Sequence, residues 1–229
     1  MSAIYLIGSG PDAREATRRH VRRALRELGL KKALIAYVGT ASNDDPTFFK
    51  MLSAMFAGTG ARVELVRLAR KSASVAKARQ LLHDADVIFM SGGDVLHGIN
   101  ILRARGVDRD LRKLAAAGKP FIAVSAGSIM MCEKWVQFDE SDESASAFKC
   151  LGIAKLVMDA HSEDDDWSEL RVLLELLELL GKNNVGYGVP AKGCLQIGAR
   201  GKLRAAGAAI DRLAIRGRKI VKMLPLLEK

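Results

Sequence analysis

Ser125 interrupts an apolar run. Phe121 to Val124 are hydrophobic, and the hydroxyl is then framed by small residues, Ala123 two positions before it and Gly127 two positions after. That small-x-Ser-x-Gly frame is what a nucleophile elbow requires. The strand-to-helix turn packs backbone against backbone, holds the hydroxyl in a strained position, and points the following N–H, from Ala126, at a developing oxyanion. A helix N-cap would explain the serine but not the small residues around it. A second stretch, Ser91-Gly92-Gly93-Asp94, ends another apolar run. Glycines there let backbone N–H groups approach a ligand, so Gly93 is the candidate second oxyanion donor. A plain helix-entry turn capped by Asp94 is the competing reading.

A serine nucleophile needs a base. Of the four histidines, His20 lies among the arginines of the first helix, His83 near a helix end, and His97 just beyond the diglycine. His161 instead closes the run GIAKLVMDAH, at the same kind of strand edge as Ser125. An imidazole there can take the serine proton and return it to a leaving amine, which makes His161 the best base. Gly8 to Ala13 (GSGPDA) formally fits a dinucleotide-binding turn. The next strand, however, ends at Tyr37-Val38-Gly39 without the carboxylate such a site wants, so a tight strand–helix turn is the simpler reading.

These residues need a scaffold that brings strand ends to one edge. Ala3–Gly8, Lys32–Gly39 and Asp86–Gly93 read as buried strands like the one before Ser125, and Ala61–Leu68 alternates apolar and polar residues. Helical patterns fall between them, over Asp12–Leu28, Pro46–Gly58, a stretch ending near His83, and Asp94–Arg105. Continuous apolar strands separated by helices predict an α/β fold, a mostly parallel sheet with helices on both faces. Ser168–Leu180 is an amphipathic helix with Ser168 as its cap and Gly181 as its stop. Beyond it, Cys194–Gly207 and Asp211–Met223 read as short strands around glycine turns, a C-terminal antiparallel extension. Without linker, repeat or low-complexity segment, residues 1–229 are expected to form a single domain.

The chain has 229 residues, 49% of them hydrophobic, enough for a substantial core. No apolar run approaches bilayer length, and Ser2–Leu6 is too short for a signal peptide, so a cytoplasmic location without a membrane partner is expected. Cys132, Cys150 and Cys194 are an odd, widely spaced set, read as reduced thiols that fit no zinc pattern. The formal charge of +10 divides between an arginine-rich first helix and the tail from Lys192, with almost no aromatic residues for base stacking. That distribution reads as a solvated surface and argues against a nucleic-acid partner. The leucine stripe of the late helix reads as core, leaving a monomer or homodimer.

Taken together, Ser91–Asp94, the turn AVSAGS and LGIAKLVMDAH, in that order, resemble the dipeptidase E and cyanophycinase family of serine peptidases. The resemblance runs from about Ile4 to the Gly186–Ile197 region, and Cys132, seven residues after the serine, also matches. It implies a class I glutamine amidotransferase-like fold, a flavodoxin-like three-layer sandwich. It also implies cleavage of peptide or isopeptide bonds next to aspartyl residues by a Ser-His-Glu triad, with neither metal nor cofactor. Carried over by motif, Ser125 is the nucleophile, His161 the base, and Gly93 and Ala126 the oxyanion donors. Asp94, beside the diglycine, and Trp167, near the position of the family's substrate arginine, are the candidates for substrate contact.

Two departures qualify the resemblance. Ala191, in Gly188-Val189-Pro190-Ala191-Lys192, stands where the triad glutamate is expected. A replacement acid would have to come from Asp159, Asp139, Glu140 or the run Glu163–Asp166. Trp167, preceded by that acidic run, stands where an arginine would receive an aspartyl side chain. The expected function is therefore a serine peptidase of short peptides with weakened aspartyl specificity. The alternative is an impaired relative that binds a peptide or small ligand without turnover, and hydrolysis of a non-peptide amide or ester stays open.

Overall fold

A computed structural model describes residues 2–139, 141, 144–181, 185–217 and 219–228. Strand and helix alternate through the first half: β1 (Ile4–Ile7), α1 (Arg14–Glu27), β2 (Leu34–Val38), α2 (Pro46–Ser53), β3 (Arg62–Val66), α3 (Val75–Asp84), β4 (Val87–Met90), α4 (Val95–Ala104), α5 (Val107–Ala116), β5 (Phe121–Val124) and α6 (Ala126–Met131). A hairpin follows, β6 (Lys134–Phe138) and β7 (Ala145–Lys149), then β8 (Val157–Ala160) and α7 (Ser168–Leu179). The chain closes with β9 (Val185–Val189), β10 (Cys194–Ile197), β11 (Leu203–Ala206), β12 (Ile210–Arg216) and β13 (Lys219–Leu226).

The main sheet has the order β11-β10-β1-β5-β4-β2-β3. Its five central and edge strands from β1 to β3 run parallel, and β10 and β11 add antiparallel. This is the α/β architecture expected from the sequence. Period-two alternation divides the core. Tyr5, Ile7, Tyr37, Phe89 and Ile122 pack with Val21 and Leu25 of α1 and Leu52 of α2. Leu6, Val38, Ile88, Phe121 and Ala123 face Leu82, Leu102 and Leu111 on the other side. Each fully buried side chain of this size contributes about 1.5–3 kcal/mol.

The C-terminal antiparallel strands divide between two sheets. β12 and β13 leave the main sheet and build a second one, of order β13-β12-β9-β8, in which β8 and β9 are parallel. The run ending at His161 therefore belongs to a different sheet from the run ending at Ser125. α7 packs on this second sheet through Leu170, Leu173, Leu174 and Leu177, a helical stripe that is buried as expected. Gly186 makes room for it: a methyl group there would stand 2.9 Å from Leu170 Cδ1. Trp167, at φ 62°, is the N-cap of α7, and Ser168, expected to cap it, instead donates its hydroxyl to Asp165. α5 was not expected from the sequence; Gly106, at φ 66°, turns the chain between it and α4.

Arg23 of α1 pairs with Glu27 and with Glu228, each at 2.8 Å, so the arginine helix and the basic tail adjoin. Cys132, Cys150 and Cys194 are unpaired and buried, and burial raises each thiol, Cys150 to about 12. Among the described residues, no helix is long and apolar enough to cross a membrane.

Candidate active site

Ser125 stands between β5 and α6 with φ 52° and ψ −127°. Such a conformation costs a non-glycine residue roughly 1–3 kcal/mol and persists where the surroundings over-determine it. Here they do. Ser125 N–H donates to the Ile7 carbonyl at 2.9 Å, Ser128 Oγ donates to the same carbonyl at 3.0 Å, and Ser128 N–H returns to the Ser125 carbonyl at 2.8 Å. Gly127 lets the turn close: a methyl there would meet Met90 O at 2.4 Å and Ser91 O at 2.6 Å. Gly92 lies as close on the other side, where a methyl would stand 3.2 Å from Ser125 Cβ. The end of β4 and the serine turn are thus one packed unit.

Gly93, at φ 136°, presses its Cα against the Ala41 carbonyl, and a methyl there would approach that oxygen to 2.1 Å. The Asp94 carboxylate accepts from His97 N–H at 2.6 Å and caps α4. Neither Gly93 N–H nor Ala126 N–H donates to a described residue, so both are available to a ligand.

His161 follows β8 with φ 51°, its N–H donating to the Val189 carbonyl at 2.9 Å. Its Nε2 lies 2.8 Å from Ser125 Oγ, across 36 residues of chain and two sheets. The turn after β1 joins the halves. Gly8 N–H donates to Gly193 O and Ser9 N–H to Ala191 O, both at 3.0 Å. A methyl on Gly8 would meet Pro190 O at 2.0 Å, and one on Gly10 would stand 2.9 Å from Ala191 Cβ and 3.4 Å from His161 Cβ. The glycines of GSGPDA thus seat the loop after β9 and His161.

Two of the acids proposed for His161, Asp159 and Asp139, are engaged elsewhere. Asp159 is 2% exposed, its Oδ1 accepting from Ala160 N–H at 2.7 Å and Ser162 Oγ at 3.3 Å, with Oδ2 unpartnered. Desolvation, reinforced by the charge of Glu169, pushes this carboxyl up to about 7. Asp139 sits just past β6, where the hydroxyl and N–H of Ser141 hold its carboxyl below the ordinary range. Glu140 lies outside the described residues. Among those described, no carboxylate hydrogen-bonds His161 Nδ1. The acidic run contributes one contact to this corner, Glu163 Oε1 accepting from Ala191 N–H at 2.9 Å.

Trp167, expected to touch substrate, is fully buried. Its Nε1–H donates to Asp211 at 2.8 Å, and its ring fills the slot over Gly188, where a methyl would come within 2.4 Å of Cε2. It is a core residue of the second sheet. A cleft of about 580 Å³ reaches Gly93 and is walled by Asp94, Trp135, Phe138, Asp139 and Glu169, with no Lys or Arg among its described lining. Desolvation, with the charge of Asp165, raises the Glu169 carboxyl. Of this wall, sequence reasoning named Asp94 and Asp139 but missed Trp135, Phe138 and Glu169, and the adjacent buried Trp135 and Val136 break the alternation that would have marked a hairpin strand. A cavity of about 600 Å³ at the other end of the strands, near Ser2, Ile4 and Arg112, lies away from both Ser125 and His161.

Known proteins share this arrangement of elements. A peptidase from an acI-B1 Actinobacterium superposes with a TM-score of 0.72 at 18% identity, covering 97% of this chain and 94% of that one. A putative Peptidase E protein from Listeria monocytogenes EGD-e gives 0.60 at 17% identity, covering 97% and 98%. The pyridoxal 5'-phosphate synthase subunit PdxT of Halorubrum lacusprofundi is 29% identical over 82 residues, a match spanning 36% of this chain and 38% of that protein. The profile of peptidase family S51 matches residues 4–199, from β1 to the end of β10. That span takes in both turns that meet at the Ser125–His161 contact, and the chain belongs to peptidase family S51.

Proposed function

We propose that the protein is a serine-type peptidase of short peptides, with Ser125 as nucleophile and His161 as its base. The 2.8 Å contact between Ser125 Oγ and His161 Nε2, at a strained turn, carries this reading. Ser125 Oγ attacks the scissile carbonyl carbon while its proton passes to Nε2. The carbonyl oxygen takes up the charge, and the free N–H groups of Gly93 and Ala126 are the donors available to it. Nε2 returns the proton to the leaving amine as the C–N bond breaks, and water then hydrolyses the acyl-enzyme through the same histidine. The cycle, so written, needs no metal ion or cofactor.

The cleft wall supports weakened aspartyl specificity. A substrate carboxylate would meet Asp94, Asp139 and Glu169 there, whereas a free amino group or basic side chain would meet opposite charge. A fluorophosphonate probe tests the nucleophile: equal labelling of the wild type and Ser125→Ala would rule it out. A dipeptide library tests specificity, with faster turnover of basic than of acidic peptides expected. A second reading, peptide binding without turnover, is favoured by one observation, the absence of a described carboxylate hydrogen-bonded to His161 Nδ1. Peptides that bind and are never cut would select it.

A further inference from the structure

A serine–histidine pair works well when a third group holds the imidazole with its proton on Nδ1 and its lone pair on Nε2, and stabilises the imidazolium that forms. The described carboxylates differ in their freedom to do this. Asp159 is turned inward, with Oδ1 committed to Ala160 and Ser162. Asp165 receives the Ser168 hydroxyl, and Asp166 is paired with Arg171 and Lys222, each at 2.7 Å. Asp139 is occupied by Ser141.

Glu163 is different. It lies two residues after His161, in the exposed turn that leads to α7, and its side chain folds back to the loop after β9. Its Oε1 takes the Ala191 N–H at 2.9 Å. Ala191 and His161 share the small space over Gly10, so the carboxylate is tethered to the residue that flanks the imidazole. No described residue hydrogen-bonds Oε2. A carboxylate with one oxygen anchored beside a histidine and the other open is suited to accept from Nδ1–H, and such bonds are often long before substrate arrives. The methyl side chain of Ala191 brings no competing acceptor to that space.

We infer that Glu163 is a positioning residue for the Ser125–His161 pair: its carboxylate, anchored on the Ala191 amide, receives the Nδ1–H hydrogen bond as His161 takes the serine proton. The inference rests on Ser125 and His161 acting as proposed above, and two readouts separate its failure from theirs. The first is the fluorophosphonate labelling rate. Glu163→Gln keeps an oxygen for the Ala191 N–H but removes the charge, and labelling is expected to slow about tenfold to a hundredfold, within the loss a triad acid can cause. Ala191→Glu introduced into that variant is expected to recover most of the rate, because it places a carboxylate in the same space.

The second readout needs no turnover. The 15N shifts of the His161 ring report which nitrogen carries the proton, and Glu163→Gln is expected to move population from the Nδ1–H to the Nε2–H tautomer. Unchanged ring shifts in Glu163→Gln would overturn the role of Glu163 even if the protein labels normally. If Ser125→Ala labels like the wild type, the nucleophile assignment fails, and the ring shifts still decide whether Glu163 governs the imidazole.

Discussion

The turn that carries Ser125 and the turn that carries His161 share a left-handed residue, at φ 52° and 51°, yet they are held in different ways. Ser125 is fixed by the interior. Its neighbours in α6 are buried, Gly127 admits the Met90 and Ser91 carbonyls at distances no methyl would tolerate, Gly92 packs closely on Ser125 Cβ, and the Ser125 N–H is tied to β1 of the main sheet. His161 is exposed and sits at the end of a four-stranded outer sheet. Its tie is a single backbone bond to Val189 and whatever the surrounding side chains add. The place of Ser125 follows from core packing, whereas that of His161 follows from surface loops. Activation of the hydroxyl can therefore change in this architecture without disturbing the fold, because the residues that govern it lie outside the core.

The largest effect expected on that contrast is Ser125→Ala, which should lower peptide turnover by about 10⁴-fold or more, measured as kcat/KM on the best library peptide. His161→Ala should cost about as much, on the order of 10⁴-fold, because nucleophile and base act as a unit and the oxyanion donors survive both changes. A markedly smaller loss in His161→Ala would mean that the exposed turn contributes little to activating the hydroxyl, and that the two residues do not act as a unit.

Asp159 probes the base's half through stability. Its folded-state value is raised, so the fold prefers the protonated form. That contribution is fully present below about pH 4 and is lost as pH rises through about 7. Asp159→Asn should match the wild type in thermal unfolding near pH 4 and exceed it above pH 8, by at most about 4 kcal/mol. A constant difference across that range would show that Asp159 ionises as readily in the folded protein as in the unfolded chain, so that burial does not raise it. The smallest effect expected is on the nucleophile's half: Gly127→Ala should destabilise by about 1–3 kcal/mol through overpacking against the Met90 and Ser91 carbonyls, read from chemical denaturation.

The same contrast separates what the sequence could reveal from what it could not. The apolar strands of the main sheet, the small residues around Ser125 and the leucine stripe of α7 are local signals, and each element formed within three residues of its expected bounds. α5 was missed in the stretch between Arg105 and the strand before Ser125, which was given no element although Val107, Leu111 and Ala115 fall at helical spacing. The second sheet was hidden for another reason. β8 pairs with β9 across the whole of α7, and nothing local in GIAKLVMDAH says which sheet it joins. Trp167 looked like a substrate contact because it stands near the position of the family's substrate arginine. The slot that takes its ring is made by Gly188, 21 residues later in the chain, where the missing side chain is visible only in three dimensions. The tie between Glu163 and Ala191 spans 28 residues and has no sequence signature at all.

The three buried thiols have a practical consequence. Thiolate is scarce at each, so alkylating reagents should leave the folded enzyme intact and act only on molecules that open. They also lie on opposite sides of the main sheet, Cys132 and Cys150 in the core below it and Cys194 in the core beneath α1. A timed pulse of alkylating reagent would therefore record, without any engineered probe, which side of the protein loosens first.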